Sequence, residues 1–135
     1  MSSLLVTGPV YERFGRGRAP YAPELAALVM KTFGPVPILT ELLAHLEDVD
    51  EAYVFGSWAE RYDGRAGPIP RDIDVIVIGR PDRDRVYALA AEAGRITGLE
   101  VDILIRAPDA WRRAEEGLLK GIRQGTLVPL HEAAA

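Results

Sequence analysis

The chain has 135 residues, of which 48% are hydrophobic and 27% are charged, a balance typical of one folded domain. The net charge of −4 argues against general nucleic-acid binding, and the lack of cysteine excludes disulfides, thiolate metal sites and a cysteine nucleophile. Since His45 and His131 are the only histidines, we do not expect a histidine-based metal site or general base. No signal peptide or membrane-spanning apolar run is readable, so we expect a cytoplasmic location.

The N-terminal segment differs in character from the rest of the chain. Residues 1–20 are predicted to form a short hairpin and a loose arm, because Thr7, Gly8 and Pro9 make a turn signal between two apolar segments. The arm carries the basic stretch Arg13–Arg18, which could contact phosphates, although such short basic loops are more often solvated linkers. We expect the main domain over residues 21–130 and a short tail over residues 131–135.

Helices and strands alternate along the main domain. Apolar residues at helical spacing predict a first helix from about Pro23 to Phe33 and a second from Pro37, where proline suits the first turn. Asp48–Asp50 is predicted as a turn. The later predictions are a strand at Ala52–Phe55, a helix capped by Ser57 and running to Tyr62, a strand at Ile73–Ile78, a helix from Pro81, a strand at Leu99–Ile105 and a helix over Asp109–Gln124. This alternation indicates an α/β layer fold.

Two aspartates open the most apolar of these strands. Side chains alternate between the faces of a strand, so Asp72 and Asp74 point to the same side and Ile73 to the other. Adjacent carboxylates repel each other and favour a divalent cation between them. Asp102, on the following strand, would join the pair if the two strands are neighbours in the sheet.

A Gly-Ser pair lies upstream, where a strand is predicted to turn into a helix. Gly56 allows the backbone to approach a ligand closely, and the helix start at Ser57 offers backbone N–H groups to a phosphate. A phosphate-binding turn beside a metal site is the equipment of phosphoryl or nucleotidyl transfer.

Taken in order, Gly56-Ser57, Asp72-Ile73-Asp74 and Asp102 resemble the motif of the DNA polymerase β-like nucleotidyltransferase superfamily, in particular its minimal nucleotidyltransferases. This resemblance covers about residues 22–130 and implies a small mixed β-sheet with flanking helices. A narrower similarity is to the nucleotidyltransferase half of bacterial winged-helix proteins. It rests on the segments Lys31–Pro35, Tyr53–Ala59 and Leu127–Leu130, and it would make residues 4–18 the remnant of a wing. The Gly64–Pro70 loop is longer than in many minimal members, which affects acceptor recognition more than chemistry.

The resemblance also implies roles for individual residues. Asp72 and Asp74 would bind Mg²⁺ at a nucleoside triphosphate, and Asp102 would complete a second metal site near the acceptor hydroxyl, with Mn²⁺ as a substitute ion. Gly56 and Ser57 would bind the phosphates. The nearby cations are Arg61 and Arg71, for which phosphate contact and an ordinary surface position are equally open.

The sequence leaves two functions open. One is transfer of a nucleoside monophosphate from a triphosphate, ATP first, to a hydroxyl of a protein or RNA acceptor. Small members of the superfamily include antitoxins that adenylylate a HEPN-type toxin, and so small a chain would need a partner, as a homodimer or a hetero-complex, to supply the acceptor surface. The other function is a non-catalytic nucleotide-binding regulatory module related to winged-helix transcription regulators.

Overall fold

The computed structural model describes residues 34–114 and 117–130. The predicted N-terminal hairpin, the basic arm, the first helix and the C-terminal tail therefore lie outside the described residues. Within the part of the chain that is described, no helix is long and apolar enough to cross a membrane.

The described elements follow the predicted alternation of helices and strands. In chain order they are α1 (Pro35–Ala44), β1 (Val49–Phe55), α2 (Gly56–Tyr62), β2 (Asp72–Gly79), α3 (Arg83–Thr97), β3 (Glu100–Arg106), α4 (Pro108–Arg112), α5 (Gly117–Gln124) and β4 (Val128–Pro129). Proline stands in the first turn of α1, and the Asp82 side chain caps α3 by accepting the Asp84 backbone N–H at 2.9 Å.

The sheet is mixed, with the strand order β3-β2-β1-β4. Strands β2 and β3 are parallel and joined through α3, whereas β1 is antiparallel to both β2 and β4. The register places Asp102 opposite Asp74 on one side of β2, and Phe55 opposite Asp74 on the other. The condition for Asp102 to join the two aspartates, that β3 lies beside β2, is therefore met.

Strand β2 is buried on both faces over most of its length, as its β-branched sequence predicts. Ile73, Val75 and Val77 face a core that includes Leu39 and Leu43 of α1. On the opposite face, Ile76 and Ile78 pack with Trp111 of α4 and Ile122 of α5. Asp72 and Asp74 share this second face. Their carboxylates lie at its exposed end, before the part of the face that α4 and α5 cover.

The predicted last helix over Asp109–Gln124 is wrong as a single element. The structure has two short helices, α4 and α5, separated by a break. Gly117 adopts a φ of 70°, in the left-handed region, which cannot continue a right-handed helix and which glycine adopts without steric cost.

Two smaller predictions are also corrected. Ser57 is not the N-cap of α2: the helix begins at Gly56, Phe55 precedes it, and no side chain makes a capping hydrogen bond. The turn predicted over Asp48–Asp50 is confined to Asp48, which has a φ of 66°, because β1 already begins at Val49. Strand β4 was not predicted, since two residues carry no readable period.

Candidate active site

Three carboxylates converge at the end of the sheet. Asp72 and Asp74 come from β2 and Asp102 from β3, and one oxygen atom of each lies within 4.8 Å of the other two. The parallel register between the strands creates this arrangement, since it places Asp102 directly beside Asp74. Asp72 and Asp102 are exposed, while Asp74 is half-buried between them.

The electrostatics of this cluster favour a bound cation. Burial raises the pKa of the Asp74 carboxyl above its ordinary value, and the negative charges of Asp72 and Asp102 raise it further. A divalent ion between the three groups would neutralise the repulsion. A set made only of carboxylate oxygens is the donor chemistry that hard cations such as Mg²⁺ and Mn²⁺ prefer, so the residues fit such an ion.

The Gly56 turn borders the cluster directly. Gly56 has a φ of 78°, and a Cβ atom built on it would lie 3.1 Å from Oδ2 of Asp74. Only glycine therefore allows the main chain to turn from β1 into α2 this close to the carboxylate. Ser57 follows in the first turn of α2, where its side chain is exposed beside the site. The structure thus brings together Gly56, Ser57 and the aspartates predicted with them.

The two candidate arginines differ in their surroundings. Arg61 donates from Nε to the carbonyl oxygen of Pro68 at 3.2 Å, and its NH1 lies 3.6 Å from a Glu60 carboxylate oxygen. It also lies flat against Gly67, where a Cβ atom would come within 2.6 Å of the Arg61 Nε. Its guanidinium group is therefore in contact with the loop between α2 and β2.

Arg71 is exposed and immediately precedes Asp72. Its carbonyl oxygen accepts the backbone N–H of Glu100 at 3.0 Å and so extends the pairing of β2 with β3. The Arg71 side chain is thus exposed, whereas the Arg61 side chain is engaged with the loop. Binding of phosphate by either arginine stays a prediction.

The aromatic side chains near the site are packed against one another in two pairs. Trp58 is buried in the core and stacks at a tilt on Tyr62, with 5.7 Å between ring centroids. Trp111 stacks on Tyr53 with a centroid distance of 6.0 Å. Arg123 of α5 donates to the carbonyl oxygens of Trp111 and Arg112, at 2.7 and 3.0 Å, and thereby links α5 to the end of α4.

A cleft beside the Gly56 turn escaped the sequence analysis. It has a volume of about 290 Å³, with Phe55, Gly56 and Glu60 on one side and residues from α5 and the following turn on the other. Gly121 and Thr126 are among the latter. A partial signal was present in the sequence: Gly121 and Gly125 lie four residues apart, and both line the cleft together with Leu118 and Ile122.

The mixed sheet and the carboxylate cluster beside a glycine turn define a nucleotidyltransferase domain of the polymerase β type. The family model described as "Nucleotidyltransferase domain" matches residues 37–123, a span that contains all three aspartates and the Gly56-Ser57 pair. The chain belongs to this family and is a nucleotidyltransferase.

Three solved structures are similar to this chain at low sequence identity. A chain in the crystal structure of a mutant MntA–HpeT toxin–antitoxin complex matches with a TM-score of 0.50 and 17% identity, over 73% of this chain and 74% of that one. The complex of tri-AMPylated Shewanella oneidensis HEPN toxin with MNT antitoxin matches with a TM-score of 0.45 and 16% identity, over 73% and 71%. A candidate nucleotidyltransferase from Sulfolobus solfataricus matches with a TM-score of 0.46 and 17% identity, over 85% and 90%.

Proposed function

We propose that this protein transfers a nucleoside monophosphate from a nucleoside triphosphate, ATP first, to a hydroxyl group of a macromolecular acceptor, and that it needs Mg²⁺ or Mn²⁺ to do so. One observation carries the proposal. Asp72, Asp74 and Asp102 place oxygen atoms within 4.8 Å of one another, directly beside the Gly56 turn.

Two tasks are divided among the three carboxylates. Asp72 and Asp74 would hold an ion at the triphosphate, whereas Asp102 would hold a second one on the acceptor side and would receive the proton of the attacking hydroxyl. Divalent ions bound there supply positive charge to the attacking and leaving oxygens. The acceptor oxygen forms a bond to the α-phosphorus, the bond from that phosphorus to the bridging oxygen breaks, and pyrophosphate leaves.

The Gly56 turn serves the phosphates in this proposal. Backbone N–H groups at the start of α2 and the exposed Ser57 hydroxyl supply hydrogen-bond donors next to the carboxylates. Arg71 adds a positive charge from the other side of Asp72. For Arg61, the contact with Pro68 favours a role in holding the loop over a role in binding phosphate.

We further propose that the acceptor belongs to a partner molecule, in a hetero-complex or a homodimer, and that the protein acts in the cytoplasm. The similar structures include two toxin–antitoxin complexes, one of them with an AMPylated HEPN toxin. A HEPN-type toxin protein is therefore the first acceptor to test, and RNA is the second.

The decisive experiment measures binding and transfer separately. Calorimetry should show ATP binding with Mg²⁺ or Mn²⁺ and little or none in EDTA, because unshielded Asp72 and Asp74 would repel a triphosphate. Transfer of label from α-labelled ATP should then be tested with cell lysate and with purified acceptors. Asp50→Asn, an exposed change on β1, is the control for Asp74→Asn.

Each outcome of this experiment has a distinct meaning. Equal ATP affinity with Mg²⁺ and with EDTA would contradict the metal-dependent site. Metal-dependent binding without transfer to any acceptor would favour the regulatory nucleotide-binding module instead.

A further inference from the structure

We propose that the free edge of β3 is a self-association surface, on which a second copy of this chain adds its own β3 in the antiparallel direction. The pairing is centred on Ile103 and joins the two four-stranded sheets into one continuous sheet. This inference goes beyond the proposed function, because it concerns assembly and is tested without nucleotide.

Strand β3 has an open and unprotected edge. It is the outermost strand in the order β3-β2-β1-β4, so within residues 34–114 and 117–130 only one of its two edges is paired. Its register with β2 runs without a break from Glu100 to Arg106, and the strand contains neither proline nor lysine. Proteins usually protect an edge strand with a bulge or with such residues, because unpaired N–H and C=O groups bind another strand. The edge of β3 is therefore suited to strand addition.

The pairing with β2 determines which backbone groups of β3 face outward. The N–H of Glu100 donates to the carbonyl oxygen of Arg71 at 3.0 Å, so the backbone groups of Glu100 point toward β2. Because these groups alternate in direction along a strand, Val101, Ile103 and Ile105 direct theirs to the free edge. The free edge thus offers three residues with an N–H and a C=O each.

These three residues are spaced for antiparallel self-pairing. A two-fold axis at Ile103 places this residue opposite its own copy, and Val101 opposite Ile105 of the second copy. Each such pair exchanges two N–H···O=C bonds in an antiparallel ladder. Arg106 donates from its side chain to the carbonyl oxygen of Ile105 at 2.7 Å, but that oxygen has a second lone pair for the N–H of the second copy. The ladder therefore forms without a shift of register.

The same register brings opposite charges together. Glu100 and Arg106 lie at the two ends of β3, on one face of the strand and about 20 Å apart, so they cannot pair within one chain. Among the ion pairs of the described residues, none includes either side chain. With Ile103 on the two-fold axis, Glu100 of each copy lies opposite Arg106 of the other, in a non-hydrogen-bonded position where side chains approach most closely. A strand with this charge pattern complements a second copy of itself.

Self-pairing also encloses one side of the carboxylate cluster. Asp102 shares the face of Glu100 and Leu104, so in the dimer it lies opposite Leu104 of the second copy. Both clusters then lie on the same face of the joined sheet. Where Asp102 marks the acceptor side, as in the proposed function, the second copy forms one wall of the acceptor's approach.

A disulfide test reads the register directly. The chain has no cysteine, so Glu100→Cys and Arg106→Cys each introduce a single thiol. Opposed residues at a non-hydrogen-bonded position have Cα atoms about 4.5 Å apart, within the range that a disulfide spans. An equimolar mixture of the two variants should form a covalent dimer under mild oxidation. Each variant alone should form several-fold less, because two copies of one position lie about 20 Å apart. A mixture of Glu47→Cys with Arg106→Cys is the control for random collision.

Charge reversal tests the same pairing without a covalent bond. Sedimentation equilibrium of the full chain should show association between roughly 1 μM and 1 mM, since two paired strands make a small interface. Glu100→Arg or Arg106→Glu should weaken this association about tenfold or more, because like charges then face each other at both ends. A mixture of the two variants should associate as the unmodified protein does, because unlike charges oppose each other again. Glu47→Arg, an exposed change before β1, is the control, and thermal melting checks that each variant is folded.

The outcomes separate this inference from the proposed function. A full chain that stays monomeric throughout this range would overturn the self-association. Equal crosslinking of the single variants and of their mixture would overturn the register, and so would single charge reversals that leave association unchanged or that are not rescued by mixing. None of these results bears on Mg²⁺-dependent ATP binding, by which the proposed function stands or fails on its own.

Discussion

The main chain of Gly56 lies against the carboxylate of Asp74, so that a Cβ atom on Gly56 would come within 3.1 Å of Asp74 Oδ2. This contact joins the two halves of the site, since Gly56 directly follows β1, and Asp74 on β2 lies opposite Phe55, the last residue of β1. The phosphate-binding turn and the metal-binding carboxylates are therefore positioned by the same pair of antiparallel strands.

We expect Gly56→Ala to abolish transfer and to weaken Mg²⁺-dependent ATP binding. Alanine would occupy a left-handed conformation at a cost of about 1–2 kcal/mol and would also crowd Asp74. Gly98→Ala is a matched control, because Gly98 has a φ of 79° and nothing within 4 Å of a built Cβ atom. Thermal melting and calorimetry should show similar destabilisation in both variants and loss of binding only at Gly56. Equal ATP affinities in the two variants would contradict the importance of the Gly56–Asp74 contact.

We expect Asp74→Asn to eliminate transfer while keeping or slightly raising the melting temperature in EDTA. The folded state raises the pKa of Asp74 above its ordinary value of 3.8, so the folded protein holds this proton more tightly than the unfolded chain. The stability contributed by Asp74 is therefore lost as pH rises through the raised pKa, and the ionised carboxylate is unfavourable at neutral pH without metal. Melting curves at several pH values check this, with Asp50→Asn as control. A clear loss of stability at pH 7 in EDTA would show a structural role instead.

We expect Asp102→Asn to lose transfer and retain part of the ATP affinity, because its proposed ion lies on the acceptor side. Calorimetry and the labelled transfer assay separate the two effects. Asp102 is exposed at the edge strand β3, so the substitution should not lower the melting temperature in EDTA. If it does, Asp102 is a structural hydrogen-bonding group and the site is reduced to a nucleotide-binding module.

We expect Ser57→Ala to weaken ATP binding by about 1.5–3 kcal/mol, the contribution of a hydrogen bond to a charged phosphate. Stability should change little, because the Ser57 side chain makes no capping hydrogen bond and is exposed. Calorimetry and thermal melting measure the two quantities in the same samples. Normal binding together with a marked loss of stability would exclude Ser57 as a phosphate ligand.

We expect Arg61→Ala to destabilise the fold by about 1 kcal/mol, because it removes a solvent-exposed hydrogen bond to Pro68. The loop between α2 and β2 should become more sensitive to limited proteolysis. Arg71→Ala is the comparison, since its exposed side chain should affect tripolyphosphate binding more than stability. If Arg61→Ala instead lowers only the tripolyphosphate affinity, Arg61 is a phosphate ligand and not a support for the loop.

The local patterns of the sequence predicted most of the helices and strands, together with the Asp72–Asp74 pair and the Gly56 turn of the site. The β-branched run after Asp74 predicted a strand buried on both faces, and β2 confirms it. The alternation of side chains placed Asp72 and Asp74 on one face because that relation depends only on the backbone of a single strand. Gly56 was predicted as a turn for the same reason, since its conformational freedom is a local property.

Other features depended on contacts between segments distant in sequence. Asp102 reaches Asp74 only because β3 pairs with β2 in parallel and in register, and the sequence left that pairing as a condition. The orientation of the Arg61 side chain depends on its hydrogen bond to the carbonyl oxygen of Pro68. The spacing of apolar residues in the sequence does not predict such a contact. The break before α5 was missed because Gly117 is tolerated within a helical pattern until its φ is known.

The sequence by itself determined the class of protein. The alternation of helices and strands, the paired carboxylates and the glycine turn all follow from the spacing of residues close together in the chain. The tertiary structure decided how these parts meet, namely the third carboxylate beside the pair, the arginine against the loop and the cleft between α2 and α5. Periodicity reports which face of one element is buried, whereas strand order, register and the space left between elements result from the packing of the whole chain.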